Sequence, residues 1–377
     1  MLRIAFDAKR LYNNFTGLGN YSRTLVSNLA THFPQHQYHL YSPKIKPNEE
    51  TLPFLQHPHL QSHFPTTTLK AYWRTFGIKK DLRADDIQIY HGLSHEIPVG
   101  IQQTEIKSVV TIHDLIIKRY PAYFPFLDRQ IYDWKFRYAC KHADKIIAIS
   151  ESTKRDIIQY YNIAPSKIQV IYQSCHERFK QQIPTLQLEK IRLKYHLPTD
   201  FLLYVGSIIP RKNLKVIVEA LAILPPDLQI PLIVIGNGGK YKEEVTQRIE
   251  QLQLSKKVQF LSIDYEDLAA LYQLARMLIY PSAYEGFGLP ILEALYAKIP
   301  VITARNSSLP EAGGAGAHYV ANISDASLAN AIAQLLSDEN YAQQLVKNGQ
   351  QHLKKFDAQV LSEELVEVYS GLALRRQ

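Results

Sequence analysis

The chain has 377 residues, 46% of them hydrophobic and 21% charged, with a net charge of +8 and only two cysteines. That length exceeds one typical core and predicts two domains. The composition excludes a disordered, collagenous or disulfide-stapled protein, and a reducing cytoplasm is the expected setting. No apolar run reaches the ~18 residues that span a bilayer, and Met1–Asp7 is too short an apolar run for a signal peptide.

The charge is uneven. Residues 1–172 carry 22 Lys+Arg against 14 Asp+Glu, whereas residues 173–377 carry 21 of each. An anionic partner for the first half follows: a membrane surface or a lipid diphosphate, rather than nucleic acid, for which no binding motif is present.

Strand-like runs alternate with amphipathic helical stretches in both halves, the pattern of parallel sheets covered on both faces. In the first half, strands are expected near Ile4–Phe6, Tyr38–Tyr41, Ile87–Tyr90, Ser108–Ile112, Lys145–Ile149 and Ile168–Ile171. Thr16-Gly17-Leu18-Gly19-Asn20-Tyr21 follows the first strand and opens a helix; its two glycines let backbone approach a ligand, and the helix start offers amides to phosphate. It is not a dinucleotide fingerprint, because Ser22 occupies the third glycine position. Leu69, Tyr72, Trp73 and Phe76 recur at helical spacing among Lys70, Arg74, Lys79, Lys80 and Arg83. That stripe reads as the buried face of a surface helix sooner than an interfacial membrane helix, as does Leu127, Ile131, Trp134 and Tyr138. His91, and His113 with Asp114, stand at strand ends, where open parallel sheets hold ligands; His91 and Asp114 are assigned to an acceptor side.

A Gln-rich stretch from Tyr172 to Asp200, with one charged helix, is the expected hinge. It separates domains at 1–177 and 178–357. The second half restarts with strands at Phe201–Val205, Leu232–Ile235, Val258–Leu261, Met277–Tyr280 and Val301–Thr303. After the first of these comes Gly206-Ser207-Ile208-Ile209-Pro210-Arg211-Lys212-Asn213, whose adjacent cations suit a diphosphate. Gly236 and Gly238 lack the third glycine of a dehydrogenase, which excludes that class.

Tyr284-Glu285-Gly286-Phe287-Gly288-Leu289-Pro290-Ile291-Leu292-Glu293 is the most informative segment. It places a glycine turn between a strand and an apolar helix. The amides of Gly286, Phe287, Gly288 and Leu289 would face an anion, while Glu285 and Glu293 would face hydroxyls. Amides for phosphates and carboxylates for hydroxyls read as a nucleotide-sugar site. No Asp-x-Asp pair is present to hold a metal there. Lys298 follows this helix, at a position suited to a left-handed glycine cap. A helical pattern from Ala358 to Leu374 ends the chain.

These motifs, in order from Gly17 to Glu311, resemble the retaining glycosyltransferases of family 4. The resemblance implies a GT-B fold, two Rossmann-like doubly wound α/β domains facing a cleft, the first completed by residues 358–377. It implies that Glu285 contacts the transferred sugar, Glu293 the ribose, and Arg211 and Lys212 the diphosphate. Gly17, Gly19 and Gly206 lie by the donor, and His113 lies beside the sugar as a catalytic residue with Glu285. Ser207 departs from the arginine many members carry after the glycine. The Pro-Arg-Lys-Asn loop with Glu-Gly-Phe-Gly-Leu-Pro is similar to bacterial mannosyltransferases of surface-polysaccharide assembly. That implies transfer of mannose from GDP-mannose, without metal or other cofactor, to a glycan or lipid-linked acceptor at the inner membrane face. A sugar-nucleotide epimerase of the same architecture and a non-catalytic sugar-nucleotide binding protein are the alternatives.

Overall fold

The computed structural model describes residues 1–374; the last three residues of the expected C-terminal helix, 375–377, lie outside the described residues. The chain divides into two compact units, one of residues 1–174 joined by the described residues from Phe356 onward, the other Cys175–Lys355.

The first unit holds a parallel sheet of seven strands: β1 (Arg3–Asp7), β2 (Gln37–Tyr41), β3 (Leu60–His63), β4 (Ile89–Gly92), β5 (Lys107–Ile112), β6 (Lys145–Ala148) and β7 (Ile168–Val170), in the order β3-β2-β1-β4-β5-β6-β7. The second holds six: β8 (Leu202–Val205), β9 (Leu232–Ile235), β10 (Val258–Leu261), β11 (Met277–Tyr280), β12 (Val301–Ala304) and β13 (Ala317–Val320), in the order β10-β9-β8-β11-β12-β13. Every pairing is parallel. The central strands are continuous apolar runs such as Leu-Leu-Tyr-Val and Met-Leu-Ile-Tyr, buried at every position, as a sheet covered on both faces requires.

Both sheets reverse direction once, between β1 and β4 and between β8 and β11. Such a reversal opens a crevice at the carboxyl ends of the two strands. The first crevice is framed by Asp7 and by Gly92; the second by the loops that follow Val205 and Tyr280.

Five helices matter here: α1 (Gly17–His32), α2 (Phe126–His142), α3 (Leu214–Ile223), α4 (Leu289–Tyr296) and α5 (Ala358–Leu374). Helix α5 packs on α1 within the first unit, and its buried Tyr369 is tied to His91, with 2.6 Å between its hydroxyl and Nδ1. Helix α4 starts at Gly288, whose φ of +123° strains any side chain, and has Pro290 in its first turn, where no N–H is needed. It ends with Lys298 at φ +61°. The amides of Lys298 and Ile299 close on the carbonyls of Leu295 and Ala294, so lysine takes the left-handed cap position usually held by glycine.

Two strands, β3 and β13, were not anticipated. Each lies at a sheet edge, and its polar residues (Gln61, Ser62 and His63; His318) hide the apolar run that marks the central strands. The expected strand at Ile87–Tyr90 runs instead from Ile89 to Gly92. The aromatic stripe is not a buried face: Trp73 is buried, with its Nε1 2.6 Å from Asp81, but Leu69, Tyr72 and Phe76 are exposed. Leu127, Ile131 and Trp134 on α2 are exposed as well.

Candidate functional site

In the second unit the β8 and β11 loops interlock through one carboxylate, Glu285, whose side chain is 13% exposed. The β8 loop turns at Pro210 through a short 3-10 stretch that ends in left-handed Asn213, whose side-chain amide holds the carbonyl of Pro281 at 2.8 Å before α3 begins. This places Arg211 and Lys212 against Glu285. The Arg211 guanidinium lies 2.8 Å from Glu285 Oε1, and its Nη1 also donates to Ser282 Oγ and to the carbonyl of Tyr284. Lys212 Nζ lies 3.2 Å from the same oxygen and donates to Tyr280 Oη at 2.7 Å. Ser282 Oγ donates to Glu285 Oε1 at 2.6 Å.

Burial pushes the Glu285 carboxyl up, but the Lys212 ammonium and Arg211 guanidinium, with hydrogen bonds from Ser282 and Tyr280, hold it below the usual carboxylate range. Burial lowers Lys212 in turn, and Glu285 offsets part of that. The cluster carries two cations to one carboxylate, a net positive charge beside a helix N-terminus. An ammonium has three donors, and two of those of Lys212 are engaged. Room for its stem comes from Gly206, where a Cβ would lie 3.0 Å from Nζ.

The turn itself is braced from the segment before Leu309. Ser307 Oγ accepts the amide of Glu285 at 3.0 Å, and Ser308 Oγ donates to the carbonyls of Glu285 and Phe287, both at 2.8 Å. Gly286, Phe287 and Gly288 are buried. The amides of Gly288 and Leu289 have no acceptor among the described residues, which leaves them for an anion at the start of α4. One turn on, Glu293 Oε2 accepts the hydroxyl of Tyr272 at 2.6 Å. Burial raises its carboxyl to about 7, against the pull of that hydroxyl and of Lys212.

One expectation changes here. Arg211 is not aimed at open space for a diphosphate; it is buried and clamps residues 282–285. Glu285 is held inside the loop by three partners and does not stand on an exposed turn.

In the first unit, His113 follows β5. Its Nε2 donates to the carbonyl of Leu93 at 2.8 Å, so in the neutral ring Nδ1 carries a lone pair, and Nδ1 meets no partner among the described residues. Burial, partly offset by the Leu93 bond, lowers it to about 4. It is therefore a neutral acceptor at physiological pH. Asp114 caps the next turn, its Oδ1 accepting the amide of Ile116 at 3.0 Å. His91 does not line a surface: it is fully buried, with Nδ1 on Tyr369 and Nε2 2.8 Å from Thr111 Oγ1.

Gly19 does not admit a ligand either. A Cβ there would fall 1.7 Å from the carbonyl oxygen of Asn14, and its amide is taken by Asn14 Oδ1 at 3.0 Å. Gly17, by contrast, faces open space.

The β1 end is sealed by charge. Arg74 donates to both oxygens of Asp7 and, at 2.8 Å, to Glu96 Oε2, which also takes Lys135 at 3.1 Å. Arg74 is therefore withdrawn from any surface role. Tyr272, Tyr280, Ser307 and Ser308 were not foreseen as site residues. Tyr280 alone left a trace in the sequence, as the last residue of a strand directly before the loop.

Residues 15–174 match the family described as Glycosyltransferase Family 4, and residues 189–352 that described as Glycosyl transferases group 1. Over 389 residues the chain is 28% identical to the Escherichia coli O-antigen chain mannosyltransferase B, covering 98% of this chain and 100% of that protein. It is 31% identical over 242 residues to the E. coli serotype-specific mannosyltransferase WbdA, covering 59% of this chain but only 28% of that longer protein. A Rickettsia africae glycosyltransferase superposes with a TM-score of 0.78 at 18% identity, over 98% of each chain. Anabaena HepE in complex with UDP superposes with a TM-score of 0.76 at 18% identity, over 98% of this chain and 100% of that one.

Proposed function

The chain belongs to the GT-B glycosyltransferases, with a family 4 first part and a group 1 second part, and from that premise we propose that it transfers mannose from GDP-mannose, with retention of configuration, to a glycan or lipid-linked acceptor. The observation that carries the donor class is the cationic cluster of Lys212 and Arg211 around Glu285, beside the unpaired amides of Gly288 and Leu289. Mannose is favoured by the E. coli mannosyltransferase relative, which this chain spans end to end.

In this reading the open donor of Lys212 and the α4 amides take the diphosphate, and Arg211 holds the loop that presents them. Glu293 accepts ribose hydroxyls, and Glu285 accepts a hydroxyl of the sugar through the oxygen that its cations leave open. As the glycosidic bond breaks, negative charge grows on the diphosphate, and the fixed cation and amides stabilise it more than they stabilise the intact donor. That positive field does the work a divalent ion does elsewhere, so transfer needs no metal. The leaving phosphate oxygen takes the proton of the acceptor hydroxyl. In the first unit His113, neutral with its Nδ1 lone pair, suits acceptance of a hydrogen bond from a sugar hydroxyl and shuttles no proton.

The acceptor side is assigned to the first unit, where Gly17 opens a helix toward open space and Asp114 follows the end of β5. Its exposed apolar residues on α2 and around Tyr72, with Lys70 and Lys80 also exposed, suit a lipid-linked acceptor at an anionic membrane. Among the described residues, no helix is long and apolar enough to cross a membrane.

A panel of GDP- and UDP-hexoses, incubated with a lipid-linked glycan acceptor in EDTA, tests this reading. GDP-mannose should give the fastest release of nucleoside diphosphate, and NMR of the product should show an α-anomeric proton. Turnover that requires added manganese or magnesium, or a β-linked product, would overturn it.

A further inference from the structure

The edge of the first sheet holds a cluster that the transfer reaction does not use. His39 on β2, His63 at the end of β3 and Asp85, just after the helix Lys79–Ala84, each offer one ligand atom, all within 4.8 Å of one another. We propose that these three residues form a binding site for a divalent transition cation of the zinc or nickel class.

The two imidazoles face one another through their nearest nitrogens. His39 Nδ1 and His63 Nε2 are 3.0 Å apart, and the rings lie at 21° to one another. An ion about 2.05 Å from each nitrogen would subtend an angle near 94° between them, and a small opening would bring that angle to tetrahedral. The far nitrogen of His63, Nδ1, lies 3.4 Å from Asp85 Oδ2, and the Tyr41 hydroxyl donates to the same oxygen. A carboxylate accepts only, so it favours the His63 tautomer with the proton on Nδ1, in which the Nε2 lone pair accepts from His39 Nδ1. This is the arrangement in which a carboxylate fixes the tautomer of a metal-binding histidine. Tyr41 stacks on the His63 ring at 4.4 Å and 12°, holding its plane.

His39 can answer with a lone pair of its own. In the free protein its Nδ1–H donates to His63 Nε2 at 3.0 Å; an ion placed between the two nitrogens replaces that hydrogen, and the His39 proton moves to Nε2, which has no competing partner. His39 is buried, but the side chains of His63 and Asp85 are 25% and 30% exposed, so an ion can enter from solvent and keep water as its remaining ligands. The nearby cation Arg3 is already paired with Asp86 and Gln37. Two imidazole nitrogens, one of them oriented by a carboxylate, suit zinc, nickel or copper better than magnesium or calcium, which prefer oxygen. A bound ion would clasp edge strand β3 to β2.

The test uses the full chain, stripped with chelator, dialysed, and titrated calorimetrically with zinc or nickel chloride. One ion per chain should bind, and the midpoint of thermal unfolding should rise. The variant His63→Gln, at the half-exposed strand edge, should bind at least tenfold more weakly, with an unchanged circular dichroism spectrum. Asp85→Asn should weaken binding by a smaller factor and serves if His63→Gln misfolds. The pair of half-buried His57 and exposed His59 is the control, because its rings lie 5.8 Å apart on the same edge. The double variant His57→Gln/His59→Gln should bind as wild type does. No stoichiometric uptake by wild type, or binding that vanishes with His57 and His59 rather than His63, overturns the proposal.

Discussion

The two sheet-reversal crevices differ in a way that total charge conceals. The first half of the chain carries the whole net charge of +8, yet at the end of β1 the cations Arg74 and Lys135 are taken up in direct ion pairs by Asp7 and Glu96, with Lys9 beside them. The second half is neutral overall, yet its crevice sets two cations against one carboxylate and adds free helix amides. Local pairing, rather than net charge, decides which crevice suits an anionic nucleotide and which suits an uncharged sugar. The surplus positive charge of the first half lies on its surface, where it bears on association and not on chemistry.

The largest effects expected are on folding, and they test whether both clusters are structural as well as functional. Arg74→Ala leaves Asp7 and Glu96 without their shared guanidinium, and Glu285→Ala leaves Arg211 and Lys212 buried without their carboxylate. Removing one member of a buried pair costs about 3–5 kcal/mol, so both variants should unfold at clearly lower denaturant concentration. They should part company in nucleotide binding: Arg74→Ala should keep it in whatever fraction remains folded, and Glu285→Ala should not. Equal loss of nucleotide affinity in the two would erase the distinction between the crevices.

A smaller effect is expected from pH. Burial raises Glu293 to about 7, and a carboxylate accepts two ribose hydroxyls only when ionised. Nucleotide binding therefore favours the deprotonated form: affinity should fall as pH drops below about 7 and level off above it. The same raised value means that the group's contribution to folding stability is present at low pH and is lost as pH rises through about 7. Glu293→Gln should bind nucleotide weakly and lose the pH dependence. A wild-type affinity flat from pH 6 to 8, measured by calorimetry, would contradict the role given to Glu293. The smallest effect is stabilising. Lys298→Gly relieves the left-handed cap and should add about 0.5–1 kcal/mol, read as a shift in the denaturation midpoint without change in turnover.

The sequence made legible what depends on runs and order. Central strands such as Leu232–Ile235 are unbroken apolar runs, and the glycine turn 284–288 falls between two of them. Edge strands β3 and β13 escaped because an edge tolerates polar residues on one side. What the sequence does not encode locally is which charge meets which. Arg211 and Lys212 look equivalent as neighbours, and only the fold turns the first inward to the carbonyl of Tyr284 and leaves the second with a spare donor. Arg74 looked like part of a cationic face, yet it pairs with Asp7 across 67 residues. His91 stood at a strand end as His113 does, but Tyr369, 278 residues away, closes over it.

The central claim is that Glu285 acts on the sugar from within a preformed cationic loop. Glu285→Gln keeps the shape of the side chain and an oxygen for Ser282 and the two cations, so it should destabilise less than Glu285→Ala, and turnover is read on the folded protein. Release of GDP from GDP-mannose in the presence of acceptor, with chelator throughout, measures the claim directly. Loss of one charge-assisted contact in the transition state should lower kcat by about 10²–10³, with an unchanged circular dichroism spectrum. A folded Glu285→Gln variant with near-wild-type turnover would contradict the account.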